Sequence, residues 1–211
     1  MHRITMYFDF ISPYAYLAFK EIERGLNNRV DITYRPILFG GLLNHYGQLG
    51  PAEIPYRREW TFLQALWQWK EAGIPIQLPK SHPFNPLPLL RLAIAETKSG
   101  DPSKETCRKI FEFVWNRGID VTDEVEFREL SSAIKLAREP NDPDVKEQLK
   151  KNTEEAIANH VYGVPSFYYN NKIFWGNDSL KMLEAYIDGD PWIDENWSKP
   201  DAVTVGIKRR K

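Results

Sequence analysis

The chain contains one cysteine in 211 residues. Cys107 has no second thiol to pair with, so an intramolecular disulfide is excluded. An excess of one charge is also missing: 28 Lys and Arg stand against 29 Asp and Glu, a formal net charge of -1. No field of either sign therefore draws the chain to nucleic acid or to an anionic membrane surface, and neither partner is expected. No apolar run approaches the length that spans a bilayer, and the N-terminus has no basic segment leading into a long apolar one. A cytoplasmic location is the expectation. His45, His82 and His160 are scattered without metal-ligand spacing, so they read as surface or core-edge residues and no metal site is expected. Repeats, low-complexity tracts and flexible linkers are missing too. The terminal Lys208-Arg209-Arg210-Lys211 is a short basic run that reads as a solvated end.

What is present is apolar and aromatic. Hydrophobic residues make up 42% of the chain, with 7 Trp, 10 Tyr and 11 Phe, enough to bury a sizeable core. The stretch that organises the rest is Phe8-Asp9-Phe10-Ile11-Ser12-Pro13-Tyr14-Ala15-Tyr16-Leu17. It follows an apolar run, Ile4 to Phe10, with the composition of a buried strand. Ser12 is a good helix N-cap, and Pro13 suits the first helical position, where its missing N–H costs nothing. From Tyr14 to Leu26 the spacing is helical: Tyr16, Leu17, Phe19 and Ile22 supply the apolar face, and Gly25 or Asn27 marks the end. A hydroxyl thus sits at a strand-to-helix turn, where partial positive charge and free N–H groups suit an anion.

A second signal lies far downstream, in Gly163-Val164-Pro165-Ser166-Phe167-Tyr168-Tyr169 and then Phe174-Trp175-Gly176-Asn177-Asp178-Ser179-Leu180. Pro165 heads an aromatic, strand-like run, a candidate for cis geometry. Asp178 precedes an apolar-periodic stretch, Leu180 to Ile187, and reads as a helix N-terminus.

Between these signals, Val30 to Pro36 alternates as a strand, and parallel pairing with the first strand is expected. Gly40-Gly41 breaks the chain, and Gly47 to Pro55 is loop-like. Helical faces follow at Phe62, Leu63, Leu66 and Trp67; at Leu89, Leu90, Ala93 and Ile94; at Ile110, Phe111, Val114 and Trp115; and at Phe127, Leu130 and Ile134. The second of these is capped by Pro83 to Pro86, the third starts at Asp101-Pro102, and a last helix runs from Asp142-Pro143 to about His160. Tyr14, Tyr16, Phe84 and the cluster Trp60, Trp67 and Trp69 read chiefly as core, and Cys107 as a packed helical residue.

Strand, Ser-Pro turn and helix at the start, with Val-Pro, a strand pair and a helix at the end, resemble an α/β thioredoxin fold with a large all-α insertion. More narrowly, the chain resembles the 2-hydroxychromene-2-carboxylate isomerase and kappa-class glutathione transferase family, a branch of the DsbA-like proteins. The likeness rests on S-P-Y-A-Y at 12–16, G-x-x-x-P-A-E-I-P at 47–55, and G-V-P-S with F-W-G-N-D-S-L at 163–180. It runs to about Gly189. The division it implies is a thioredoxin-like core of residues 1–39 and 161–190, a helical insertion at 40–160 and a C-terminal tail at 191–211. The default ligand site is the cleft between core and insertion. Thiol–disulfide enzymes of this fold need Cys-x-x-Cys where this chain has Ser12-Pro13-Tyr14-Ala15, so dithiol redox chemistry is excluded.

Several residue roles follow from the resemblance alone. Ser12 would hydrogen-bond the sulfur of bound glutathione as well as cap its helix, and a hydroxyl donor at a helix N-terminus favours a thiolate. Val164, before Pro165, would pair through its backbone with the cysteinyl part of the tripeptide. Asn177 would hold the γ-glutamyl carboxylate, and Asp178 would accept from its ammonium. Gln48 stands where the family usually has Asn, and Arg57 where it has a basic residue for the glycyl carboxylate; Arg58 is adjacent, and a solvated basic pair is the alternative. Tyr14, Phe84 and Asn85 are candidate contacts for an aromatic substrate. Dimers are usual in the family.

The implied activity is glutathione-dependent cis–trans isomerisation of 2-hydroxychromene-2-carboxylate type: reversible thiolate addition to a conjugated double bond, rotation, then elimination. A kappa-like transferase or peroxidase would use the same thiolate on an electrophile that keeps it. A redox-inactive thioredoxin-fold binding module is the non-enzymatic rival.

Overall fold

The computed structural model describes residues 1–26 and 29–207; Asn27 and the basic run at 208–211 lie outside the described residues. The chain opens with β1 (His2–Phe8), α1 (Pro13–Gly25) and β2 (Val30–Pro36). β2 lies parallel to β1, His2 opposite Val30 and Phe8 opposite Pro36. β3 (Ser166–Tyr169) pairs antiparallel with the other edge of β1, and β4 (Lys172–Trp175) antiparallel with β3. The sheet order is β2-β1-β3-β4. Strands from the two ends of the chain therefore meet at β1, as a thioredoxin fold requires.

β1 ends at Phe8, two residues before the apolar run does. The cause is Asp9, whose Oδ1 accepts from the Ile11 N–H at 3.1 Å and turns the chain out of the sheet. Ser12 then caps α1, its Oγ accepting from the Ala15 N–H at 3.2 Å.

Six helices lie between β2 and β3: α2 (Phe39–Tyr46), α3 (Arg57–Ala72), α4 (Leu87–Ala95), α5 (Lys104–Trp115), α6 (Glu124–Ser132) and α7 (Pro143–Ala158). Helix α2 runs through Gly40-Gly41, where the sequence suggests a break. Its first two N–H groups find acceptors from outside the helix: Leu38 donates to Thr153 Oγ1 and Phe39 to Asp9 Oδ2, both at 3.0 Å. Tertiary bonds thus override a poor local propensity. Helix α5 starts two residues later than Pro102 suggests, because Ser103 supplies the cap to the Thr106 N–H.

The core is one large cluster in which Phe8, Phe10, Tyr16, Phe19 and Phe111 stack edge-to-face or tilted, with centroids 4.8–5.8 Å apart. Cys107 is fully buried here, and burial pushes its thiol well above the ordinary value. The tryptophan cluster divides. Trp69 is buried, but Trp60 and Trp67 are 62% and 58% exposed. Phe62, Ala65, Trp69 and Ala72 form the inward face of α3, so residues 60, 63 and 67 point away from it.

After β4 come a 3₁₀ turn at Asn177–Ser179, α8 (Leu180–Ile187) and α9 (Trp192–Asn196). Asp178 lies inside the turn and is not an N-cap. Beyond 190 the chain still packs: Ile193 is buried, Trp197 stacks on Phe174 at 5.5 Å, and Lys172 pairs with Asp194 at 2.8 Å. No helix among the described residues is long and apolar enough to cross a membrane.

Candidate active site

The β1–α1 turn is held from three directions, each by a partner distant in sequence. The indole Nε1 of Trp115 donates to the Phe10 carbonyl at 3.0 Å. His82 Nε2 donates to the Ile11 carbonyl at 2.9 Å. Asp9, fully buried, accepts from Ile11 and Phe39. These bonds fix the backbone that presents Ser12.

Ser12 itself is 7% exposed. Its hydroxyl donates to the Val164 carbonyl at 3.4 Å, a long bond that an incoming anion can replace. Val164 precedes cis-Pro165, so the first helix of the chain and the loop before β3 converge on one hydroxyl. The loop is tight: a Cβ on Gly163 would collide with the Trp175 indole, and Gly176, at φ 89°, donates its N–H to the Pro165 carbonyl at 2.9 Å.

Beside Ser12 opens a cavity of about 350 Å³. Asp9, Ser12, Tyr14 and Val164 line it, and Leu38, Phe39, Leu43 and Phe62 supply apolar wall. The remaining polar groups come from Glu53, Arg58, Thr61 and His82. Burial, reinforced by the Arg58 charge, lowers the pKa of His82 against its bond to Ile11. Its Nδ1 is buried without a hydrogen-bond partner, so the ring stays neutral. Burial first, and then the Asp178 charge, raises the Tyr14 phenol, whose hydroxyl donates to Gln64 Oε1 at 2.9 Å. Asp9 is pushed up from 3.8 to about 7 by burial, against the lowering effect of its two backbone donors.

The residues singled out from sequence fall into two groups. Ser12, Tyr14 and Val164 line the cavity, with Pro165 next to them. Asp178 lies near enough to Tyr14 to act on its charge, and Asn177 donates to Gln68 Oε1 of α3 at 3.1 Å, so the last turn reaches the same flank. Gln48, Arg57, Phe84 and Asn85 are not on the cavity wall. Gln48 and Arg57 are exposed. Arg58, one residue on, is the basic side chain that lines the cavity. Phe84 is buried against His82, and Asn85 Oδ1 accepts from the Leu87 N–H at the start of α4. Sequence reasoning missed Asp9 and His82 as parts of the site. A carboxylate inside an otherwise apolar run was the signal for Asp9; His82 carries no comparable local signal.

Thioredoxin topology, a serine at the first helix and a cis-proline loop facing it define the class. The DsbA-like thioredoxin domain model matches residues 3–188, and the chain belongs to that family. It is 27% identical over 192 residues to a 2-hydroxychromene-2-carboxylate isomerase of Sphingobium xenophagum, covering 87% of this chain and 97% of that one. It is 25% identical over 207 residues to glutathione S-transferase kappa 2 of Caenorhabditis elegans, covering 87% and 91%. Among solved structures, a 2-hydroxychromene-2-carboxylate isomerase superimposes with a TM-score of 0.72 at 20% identity, over 92% of this chain and 98% of that one. The relatives are isomerases and glutathione transferases.

Proposed function

We propose that the protein is a glutathione-dependent isomerase of 2-hydroxychromene-2-carboxylate type, acting on a small aromatic molecule in the cytoplasm. One observation carries this reading: the Ser12 hydroxyl, at the N-terminal end of α1 and 3.4 Å from the carbonyl before cis-Pro165, borders an apolar cavity. The residues fit the tripeptide. Ser12 supplies a donor and α1 its positive end, so an anionic sulfur is favoured there over a neutral one. Val164 offers its backbone beside it, Asn177 and Asp178 a polar flank, and Arg58, rather than Arg57, a cation on the cavity wall. Bound glutathione supplies a thiolate able to add reversibly to a conjugated double bond. Leu38, Phe39, Leu43 and Phe62 exclude water from that thiolate and hold the apolar part of the second molecule.

The similarity to the kappa 2 transferase favours a second reading, in which the same thiolate is consumed by an electrophile. Stoichiometry separates the two: glutathione conserved over many turnovers supports the isomerase, and glutathione consumed supports the transferase. Calorimetry of glutathione binding at about pH 7 tests both against neither. Binding with proton release in the wild type, largely lost in Ser12→Ala, is the expected result. Turnover in Ser12→Ala should fall by about 10²-fold, with a much smaller loss of affinity. Unchanged turnover overturns the role of Ser12, and absence of binding favours the non-catalytic module.

A further inference from the structure

Asp9 belongs neither to the cap of α1 nor to any ion pair, yet both of its oxygens are engaged. Oδ1 accepts from the Ile11 N–H at 3.1 Å, in the turn that presents Ser12. Oδ2 accepts from the Phe39 N–H at 3.0 Å, the first residue of α2. Both segments line the same cavity, one through Ile11 and Ser12 and the other through Leu38 and Phe39. Leu38, at the N-cap position of α2, makes no side-chain cap bond, so the carboxylate from β1's end stands in for one. We propose that Asp9 is a positioning residue that ties two segments of the cavity wall together, and that only its carboxylate form makes both ties.

The chemistry follows from hydrogen counting. A carboxylate accepts at both oxygens, whereas the neutral acid carries a proton on one of them. That proton would face a backbone N–H, donor against donor, at a carboxyl that is fully buried. One tie is therefore lost on protonation, and the start of α2 loses its partner or the Ser12 turn does. The other titratable groups on the cavity are Tyr14 from α1, Glu53 from the 3₁₀ turn Pro51–Glu53, Arg58 from α3 and His82. Glu53 is occupied by the Gly50 N–H at 2.6 Å. None of the four is among the causes of the Asp9 displacement, which are burial and the two backbone donors. The switch therefore belongs to Asp9 alone, and its midpoint lies near neutrality. Any ligand that grips both segments binds the ionised form better and, reciprocally, lowers the pKa of Asp9.

The part that concerns glutathione rests on the function proposed above, so the test has two arms. In the first, amide resonances of the ¹⁵N-labelled protein are followed from about pH 5 to about pH 8 without ligand. The Ile11 and Phe39 amides should titrate with a common midpoint near 7, and Asp9→Asn should abolish both titrations. Flat amides at both positions, or two different midpoints, overturn the proposal. Phe39→Pro guards against a misfolded Asp9→Asn. Leu38 already has the extended φ of -86° and ψ of 106° that a residue before proline needs, and proline suits N1. With one donor removed, the Ile11 midpoint should rise. An unchanged midpoint counts against the tie to α2. In the second arm the probe is S-methylglutathione, whose sulfur cannot ionise. Its affinity should rise about tenfold between about pH 6 and about pH 8 in the wild type and stay level in Asp9→Asn. Affinity independent of pH overturns the coupling to ligand. If it binds neither protein, the glutathione reading is at fault, and the amide titrations still decide the role of Asp9.

Discussion

Asp9 works against the stability of the fold it organises. Burial raises its pKa from 3.8 in the ordinary range to about 7, so between those values the folded protein holds a proton that the unfolded chain has released. Its contribution is complete below about pH 4 and is lost as the pH rises through about 7. At about 1.4 kcal/mol per pH unit, the linkage amounts to about 4 kcal/mol. Urea unfolding at about pH 5 and about pH 8 checks this. The difference in stability between wild type and Asp9→Asn should shift by a few kcal/mol against the wild type at the higher pH. A difference that does not change with pH would place the pKa elsewhere. The same group thus trades stability for ionised acceptors where two segments must be joined.

At the scale of elements, α2 is the instructive case. Its two glycines occupy the first turn, and their surroundings differ. A Cβ on Gly40 would meet nothing within 4 Å, whereas one on Gly41 would lie 3.0 Å from the Thr153 methyl of α7. Gly40→Ala should therefore stabilise the protein by about 0.5–1 kcal/mol through the unfolded chain. Gly41→Ala should gain less or nothing, because α2 must move from α7. Chemical denaturation of the two variants side by side is the measurement. This element also shows where sequence runs short. Strand β2 and helix α1 were legible because local pattern and tertiary demand agree: alternation in one, a Ser-Pro start and an apolar face in the other. Helix α2 was not, because what starts it is a carboxylate 30 residues earlier and a hydroxyl 115 residues later. The outward face of α3 was misread for a related reason. Trp60 and Trp67 are as apolar as Trp69, and only the packing of Phe62 and Ala65 decides which side is inward.

At the scale of the whole molecule, the helices between β2 and β3 build the turn that the strands only begin. Trp115 lies 105 residues from the carbonyl it holds, and His82 lies 71 from its own. The motif around Ser12 was plain in the sequence, and so was its convergence with Val-Pro as a property of the fold. The braces behind it were not, since no local spacing links an indole on α5 to Phe10. Trp115 is completely buried, so Trp115→Phe removes an N–H and part of the ring, leaving the Phe10 carbonyl unpaired beside a small void. A loss of about 1–3 kcal/mol is expected. Turnover should fall with it even under conditions where the variant is fully folded by circular dichroism, because the backbone presenting Ser12 has lost one of its holds.

Cys107 is the only thiol in the chain, and it is sealed in the core with its ionisation suppressed. Alkylating agents and peroxides act on thiolates, so the folded protein offers them no target of this kind, and iodoacetamide should leave it unlabelled until it is denatured. Under the function proposed above, the sulfur comes from glutathione, and the vulnerable atom is then on the part that leaves. Injury to that atom would be repaired by exchange with the surrounding pool, and the polypeptide would outlast the reagents that end a cysteine enzyme.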